Sequence, residues 1–287
     1  MNNFFHLFRS THIHPLLWAI LAIGIMTGHI YDLILLFSLV LLHELGHVFA
    51  ASFFSWKIKK IMLFPFGGVA EIDEYGNRPL YQEVIVILSG PFVHLILMLG
   101  SFIALSSSLI THEFYEQFMF HNVLLLCFNL LPIYPLDGGK LMFVSFSLFD
   151  SFQKSFEKTL RISAVFLLCI AVVALFLYST HLHLWMVLCY LCYSLYYEWK
   201  QRDYLYIRFL LDRYYGKGET ILDLSPLAVN GGEKIYHIIR KFKRGQKHII
   251  IVEEKEGRKQ LDENELLHAY FVDKRINDSI DELVAFY

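Results

Sequence analysis

The chain has 287 residues, 56% hydrophobic and only 18% charged, where an ordinary globular protein runs about 45–50% apolar and about 25% charged. That balance excludes a wholly water-soluble fold and makes the chain a membrane protein carrying some soluble mass. A formal net charge of −2 is too close to neutral to argue for direct nucleic-acid binding.

In chain order, the first apolar run covers residues 14–28, behind Arg9 and the histidines His6, His12 and His14. It ends at Gly28-His29 without a small-residue cleavage site, so it reads as a retained anchor. The second run, 31–54, contains His43-Glu44-Leu45-Gly46-His47. Two histidines four apart lie on one helix face and can grip one Zn²⁺, and the glutamate between them can take a proton from water at the metal. Ionisable side chains at bilayer depth cost about 2.5–3.5 kcal/mol each, so three together imply a function there. Hydrolysis of peptide bonds within the membrane would be such a function.

Met62–Ile72 is apolar but too short to cross a bilayer, and its Pro65 and Gly67-Gly68 suit a turn between two extended arms. It reads as a re-entrant β-hairpin whose edge can pair with an extended substrate strand; the alternative is a surface hairpin without a substrate role. The next run, 83–107, carries His94, which could line the site but reads better as a core or cavity histidine. Residues 118–132 form a fourth run, and Asn129-Leu-Leu-Pro132-Ile-Tyr-Pro135-Leu-Asp137-Gly138-Gly139 follows its end. Pro135 and the two glycines break the helix and present Asp137, either as a third metal ligand or as an ordinary turn residue. With His43 and His47 on another span, the ligand reading is the better one.

Asp150–Arg161 alternates charged and apolar residues and reads as an interfacial connector helix, before two more runs at 161–179 and 182–198. That makes six spans. The loops Gly28–Ile30, Ser106–Gln117 and Thr180–His183 hold no Lys or Arg, whereas Arg9, Lys57, Lys59, Lys60, Arg78, Lys140, Lys154, Lys158, Arg161, Lys200 and Arg202 all fall on the other side. The asymmetry places both termini in the cytoplasm. Cys127, Cys169, Cys189 and Cys192 lie in apolar segments and read as small buried hydrophobes without a disulfide.

Residues 1–198 thus form a transmembrane domain, 199–218 a linker helix and 219–287 a soluble tail. In the tail we expect strands at Leu224–Val229 and His248–Glu253 and helices at Gly231–Phe242, Asp262–Ala269 and Asp278–Ala285. Asp262 with Glu265 three residues on is a capping-box pattern. An α+β module of about 70 residues is marginal alone and suits pairing with another copy or a partner.

Both signatures, His43-Glu44-x-x-His47 and Asn129-x-x-Pro132-x-x-Pro135-x-Asp137-Gly138, resemble the site-2 proteases, a family of intramembrane zinc metalloproteases. The resemblance covers roughly residues 31–140. It implies His43, His47 and Asp137 as zinc ligands, Glu44 as the base, and Asn129, Pro135, Phe66, Gly67 and Gly68 as substrate contacts. The tail looks like a cystathionine-β-synthase-type domain, which implies ATP as a ligand. Six spans followed by such a module, with no PDZ domain, is similar to the sporulation branch of the family. That likeness implies a membrane-associated sigma-factor precursor as substrate, cleaved near the cytoplasmic face. It also implies the membrane surrounding the forespore as location, with lipid, inhibitory membrane proteins and self-association as partners. Two other classes compete: an ion-binding transporter, which would favour an internal repeat that the spans lack, and a nucleotide-sensing scaffold without activity, which would be free to lose Glu44.

Overall fold

The computed structural model describes residues 11–13, 22, 24–56, 58–64, 67–72, 78–215, 223–254 and 257–284. The chain divides into two compact units: Met1–Glu74, Tyr81–Leu141 and Ile162–Leu195 form the first, and Tyr75–Leu80, Met142–Arg161 and Tyr196–Tyr287 the second.

The first unit opens with strand β1 (Thr11–Ile13), helix α1 (Ile30–Phe53) and the strands β2 (Ile58–Phe64) and β3 (Gly67–Ile72). Helices α2 (Leu80–Ser106) and α3 (His112–Asn129) follow, then α4 (Asp137–Ser147), α5 (Phe152–Leu177) and α6 (Leu182–Tyr214). Three of these, α1, α2 and α5, are long and apolar enough to cross a membrane. At 1.5 Å per residue they extend about 36–40 Å, against a hydrocarbon core of about 30 Å. Their large apolar side chains point outward, Phe49, Phe92, Ile96, Phe102, Leu168 and Phe176 among them, as lipid-facing helices require. The chain is an integral membrane protein. The first expected span, 14–28, lies largely outside the described residues.

β2 and β3 pair antiparallel, Phe64 opposite Gly67 and Met62 opposite Val69, so the expected hairpin forms with a two-residue connection. Its arms begin earlier than expected, at Ile58, and β1 pairs parallel to β2. The order is therefore β1-β2-β3, with β2 enclosed on both sides and β3 outermost among the described residues. β2 and β3 both lie against α1, the helix carrying His43 and His47.

α3 starts where Thr111 Oγ1 accepts a bond from Phe114 N at 3.3 Å, a cap worth about 1 kcal/mol. It stops before Pro132, which can neither continue the hydrogen-bond ladder nor let its predecessor stay helical. The turn that follows is packed backbone on backbone: a Cβ on Gly138 would sit 2.2 Å from Leu130 O. Ser163, fully buried on α5, accepts from Tyr134 N at 2.9 Å and so pins the turn that delivers Asp137.

Two sequence expectations change. Residues 152–161 are not a separate connector helix; they are the first turns of α5, and Phe152, Phe156 and Leu160 are buried in the second unit. Residues 199–214 continue α6 without a break. In both places charged residues interrupt the apolar run without disturbing helical hydrogen bonding, so a change in composition does not mark a change in backbone. The four cysteines are exposed on the protein surface rather than buried; lipid suits a thiol as well as a protein core does.

In the second unit β4 (Asp223–Asn230) pairs parallel to β5 (Gln246–Glu254), which pairs antiparallel to β6 (Gly257–Asp262). The parallel pair needs a crossover, and α7 (Ile235–Ile239) lies in it, much shorter than the expected Gly231–Phe242 helix. β6 was not anticipated, because Gly257–Asp262 is polar at four of six positions, as an edge strand can be. α8 (Glu263–Phe271) begins with the full capping box of Asp262 and Glu265, and α9 (Ile280–Val284) closes the described residues. Phe152 stacks on Phe209 with centroids 4.4 Å apart, and Tyr206 donates to Ile239 O at 2.7 Å. Burial pushes the Tyr206 phenol far above its usual range, so it stays a donor. Arg213 of α6 pairs with Glu263 at 2.9 Å, and Glu263 also accepts from His248 N at 2.6 Å, all three residues buried.

Candidate metal centre

His43 and His47 sit on the buried face of α1, one turn apart. Asp137 is the first residue of α4, where a carboxylate is favoured by the helix dipole and where Gly138 lets the turn close. The fold brings these residues together: His43 Nε2 and His47 Nε2 are 3.1 Å apart, and Asp137 Oδ2 is 3.1 Å from the first and 3.2 Å from the second. All three are nearly inaccessible, at 3%, 6% and 3% exposure.

Hydrogen bonding decides what those atoms offer each other. His47 Nδ1 lies 2.8 Å from Val86 O; a carbonyl only accepts, so Nδ1 carries a proton, and the ring in its neutral form turns the lone pair of Nε2 inward. Asp137 Oδ2 has no hydrogen-bond donor among the described residues, while Lys140 Nζ holds Oδ1 at 3.2 Å. Lone pairs converging at this distance repel unless a cation lies between them. A tetrahedral ion with ligands at about 2.0–2.1 Å spaces its donors about 3.3 Å apart, and the observed triangle fits that geometry closely. Glu44 is buried at 8% exposure, and its ligand atom lies within 4.8 Å of those of His43 and His47. It therefore lies beside the two imidazoles.

A model of peptidase family M50 matches residues 31–112 and 104–175. The chain is 47% identical over 289 aligned residues to stage IV sporulation protein FB of Bacillus subtilis, covering all of both chains. The chain belongs to peptidase family M50. A zinc metalloprotease of Methanocaldococcus jannaschii, MJ0392, is 36% identical over 46% of this chain and 40% of its own length. Among solved structures, the site-2 protease from the same archaeon matches with a TM-score of 0.53 and 28% identity, covering 66% of this chain and 89% of that one. The M50 chain described here is accordingly a membrane metalloprotease with the site-2 fold, and it resembles the sporulation protein along its whole length.

Other expected site residues lie outside the donor triangle. The Asn129 amide donates to Leu125 O at 3.1 Å on its own helix, and no hydrogen bond among the described residues joins it to the triangle. Pro135 follows a cis peptide bond two residues before Asp137. Gly67 and Gly68 begin β3 opposite Phe64 and Leu63, and Phe66 lies outside the described residues.

Gly90 escaped the sequence reading, and His94 was weighed there without being tied to His43. A Cβ on Gly90 would lie 2.4 Å from His47 Nε2 and 2.7 Å from His43 Cε1, so Gly90 gives both rings their room. His94, one turn further along α2, is fully buried, with its ring centroid 5.1 Å from that of His43. The i, i+4 spacing of Gly90 and His94 on an apolar helix was the available signal; nothing local tied it to α1.

Proposed function

We propose that His43, His47 and Asp137 are the zinc ligands and Glu44 the general base of this protease. The observation that supports this most directly is the three-donor triangle of 3.1–3.2 Å closed by residues from two distant parts of the chain. Bound zinc supplies Lewis acidity, acidifying water and polarising the scissile carbonyl. Glu44 takes the proton of the attacking water and passes it to the leaving amide nitrogen. Lys140 holds one oxygen of Asp137 and leaves the other to the metal. Asn129 holds substrate backbone or the developing oxyanion, in keeping with its place at the end of α3.

We further infer six spans with both termini cytoplasmic, from loop charge. His43 and His47 then lie about 9–15 Å from the cytoplasmic end of α1, so cleavage occurs just inside that face. A substrate helix hides its carbonyls in its own hydrogen bonds and must unwind to be cut. β3 offers replacement partners along Gly67–Ile72, because β1 already occupies the far side of β2. The full-length likeness to the sporulation protein supports a sigma-factor precursor as substrate and the membrane around the forespore as its place of work. The tail is read as a cystathionine-β-synthase-like module that binds ATP. Its small α+β sheet is consistent with that, and calorimetry on the whole chain with ATP tests it.

The deciding experiment incubates purified protein with a membrane-associated precursor substrate, with and without a zinc chelator. Cleavage lost on chelation and restored by zinc supports the assignment; cleavage indifferent to chelation removes it.

A further inference from the structure

A histidine that binds a metal through one nitrogen nearly always donates the N–H of its other nitrogen to an outer acceptor, which sets its tautomer and ring angle. His47 has such a partner, Val86 O. His43 does not: its Nδ1 is buried without a hydrogen-bond partner among the described residues. If His43 offers the lone pair of Nε2 to a metal, Nδ1 is a proton donor with nowhere to send it.

The neighbouring ring has the opposite need. Asn122, fully buried on α3, donates through Nδ2 to Phe118 O at 3.0 Å, which fixes the orientation of its amide. Its Oδ1 must then accept from His94 Nδ1, 2.9 Å away. With the proton on Nδ1, neutral His94 carries a lone pair on Nε2, and this atom too is buried without a partner among the described residues. A donor and an acceptor, each buried and unsatisfied, thus belong to rings whose centroids are 5.1 Å apart.

We propose that His94, held by Asn122, is the outer acceptor for His43 Nδ1–H through one buried water. Asn122, His94 and His43 then form a relay across α3, α2 and α1 that keeps His43 Nε2 unprotonated and aimed at the metal. His94 is a positioning residue, and the inference rests on the reading of His43 as a zinc ligand.

The test measures zinc affinity of the detergent-solubilised full chain by competition with a chelator, alongside the visible spectrum of the cobalt-substituted protein. His94→Phe keeps a buried ring but removes the acceptor, and is expected to weaken zinc about 10–100-fold. His94→Gln places a carbonyl oxygen near the former Nε2, and is expected to restore affinity to within about threefold and to return the parent cobalt spectrum. Asn122→Leu releases the tautomer and is expected to weaken zinc by less than His94→Phe; it carries the test if His94→Phe does not fold. Parent-like affinity in His94→Phe or in Asn122→Leu overturns the proposal. So does a His94→Gln variant as weak as His94→Phe, which would make the role one of packing. His43→Ala separates the two levels: zinc retained in that variant removes His43 as a ligand, whereas zinc lost there but kept in His94→Phe removes only the relay.

Discussion

Adding one methyl group at Gly90 tests the packing of the metal centre more sharply than deleting a ligand. In Gly90→Ala the new Cβ would lie 2.4 Å from His47 Nε2 and 2.7 Å from His43 Cε1, where carbon and nitrogen normally keep about 3.5 Å. Both rings, or α2 itself, must give way by about 1 Å. His47 cannot retreat freely, because its Nδ1–H donates to Val86 O at 2.8 Å, and leaving that buried N–H unsatisfied costs about 1–3 kcal/mol. Zinc tolerates errors of only about 0.2 Å in ligand placement, and a misplacement of about 1 Å costs about 10²-fold in rate. We expect Gly90→Ala to lower both zinc content and cleavage at least that far. Gly100→Ala is the control on the same helix, since nothing lies within 4 Å of its Cβ. Both changes should favour the helix by about 0.5–1 kcal/mol through backbone entropy, so only the steric term distinguishes them. Zinc content comes from elemental analysis and activity from precursor cleavage. A Gly90→Ala variant with full zinc and full activity would refute the argument that α2 floors the site.

Glu44→Gln should keep zinc bound and lower cleavage by about 10²–10⁴-fold, the usual share of general base catalysis; cleavage near the parent rate would remove Glu44 from proton transfer. Asp137→Asn should reduce bound zinc, since a neutral amide replaces the charged oxygen that lies 3.1 and 3.2 Å from the two imidazoles; unchanged zinc and activity would put the third ligand elsewhere. In the second unit, Glu263→Gln leaves Arg213 buried without its counter-charge, which should destabilise that unit by about 3–5 kcal/mol. Hydrogen exchange of the β5 amides reads this directly, and protection matching the parent would show the pair to be dispensable.

Much was legible locally. The i, i+4 spacing of His43 and His47 follows from helical periodicity, and the Asp262–Glu265 capping box placed the start of α8 to the residue. Pro65 with Gly67-Gly68 marked the hairpin, although both glycines pair within β3. β1 was not readable, because three residues pairing parallel to a distant strand leave no periodic trace. The join of connector to span in α5, and of span to linker in α6, was hidden because polarity changes along both helices while their hydrogen bonding does not.

The order of residues alone determined that this chain enters a membrane and carries metal-binding chemistry at bilayer depth, since composition and a four-residue spacing are properties of neighbours in the chain. Only the tertiary structure decided that Asp137 meets His43 and His47, that Gly90 makes their room, and that His94 and Asn122 stand behind them. Those contacts join helices tens of residues apart, and side-chain packing between helices is not encoded in the periodicity of any one of them.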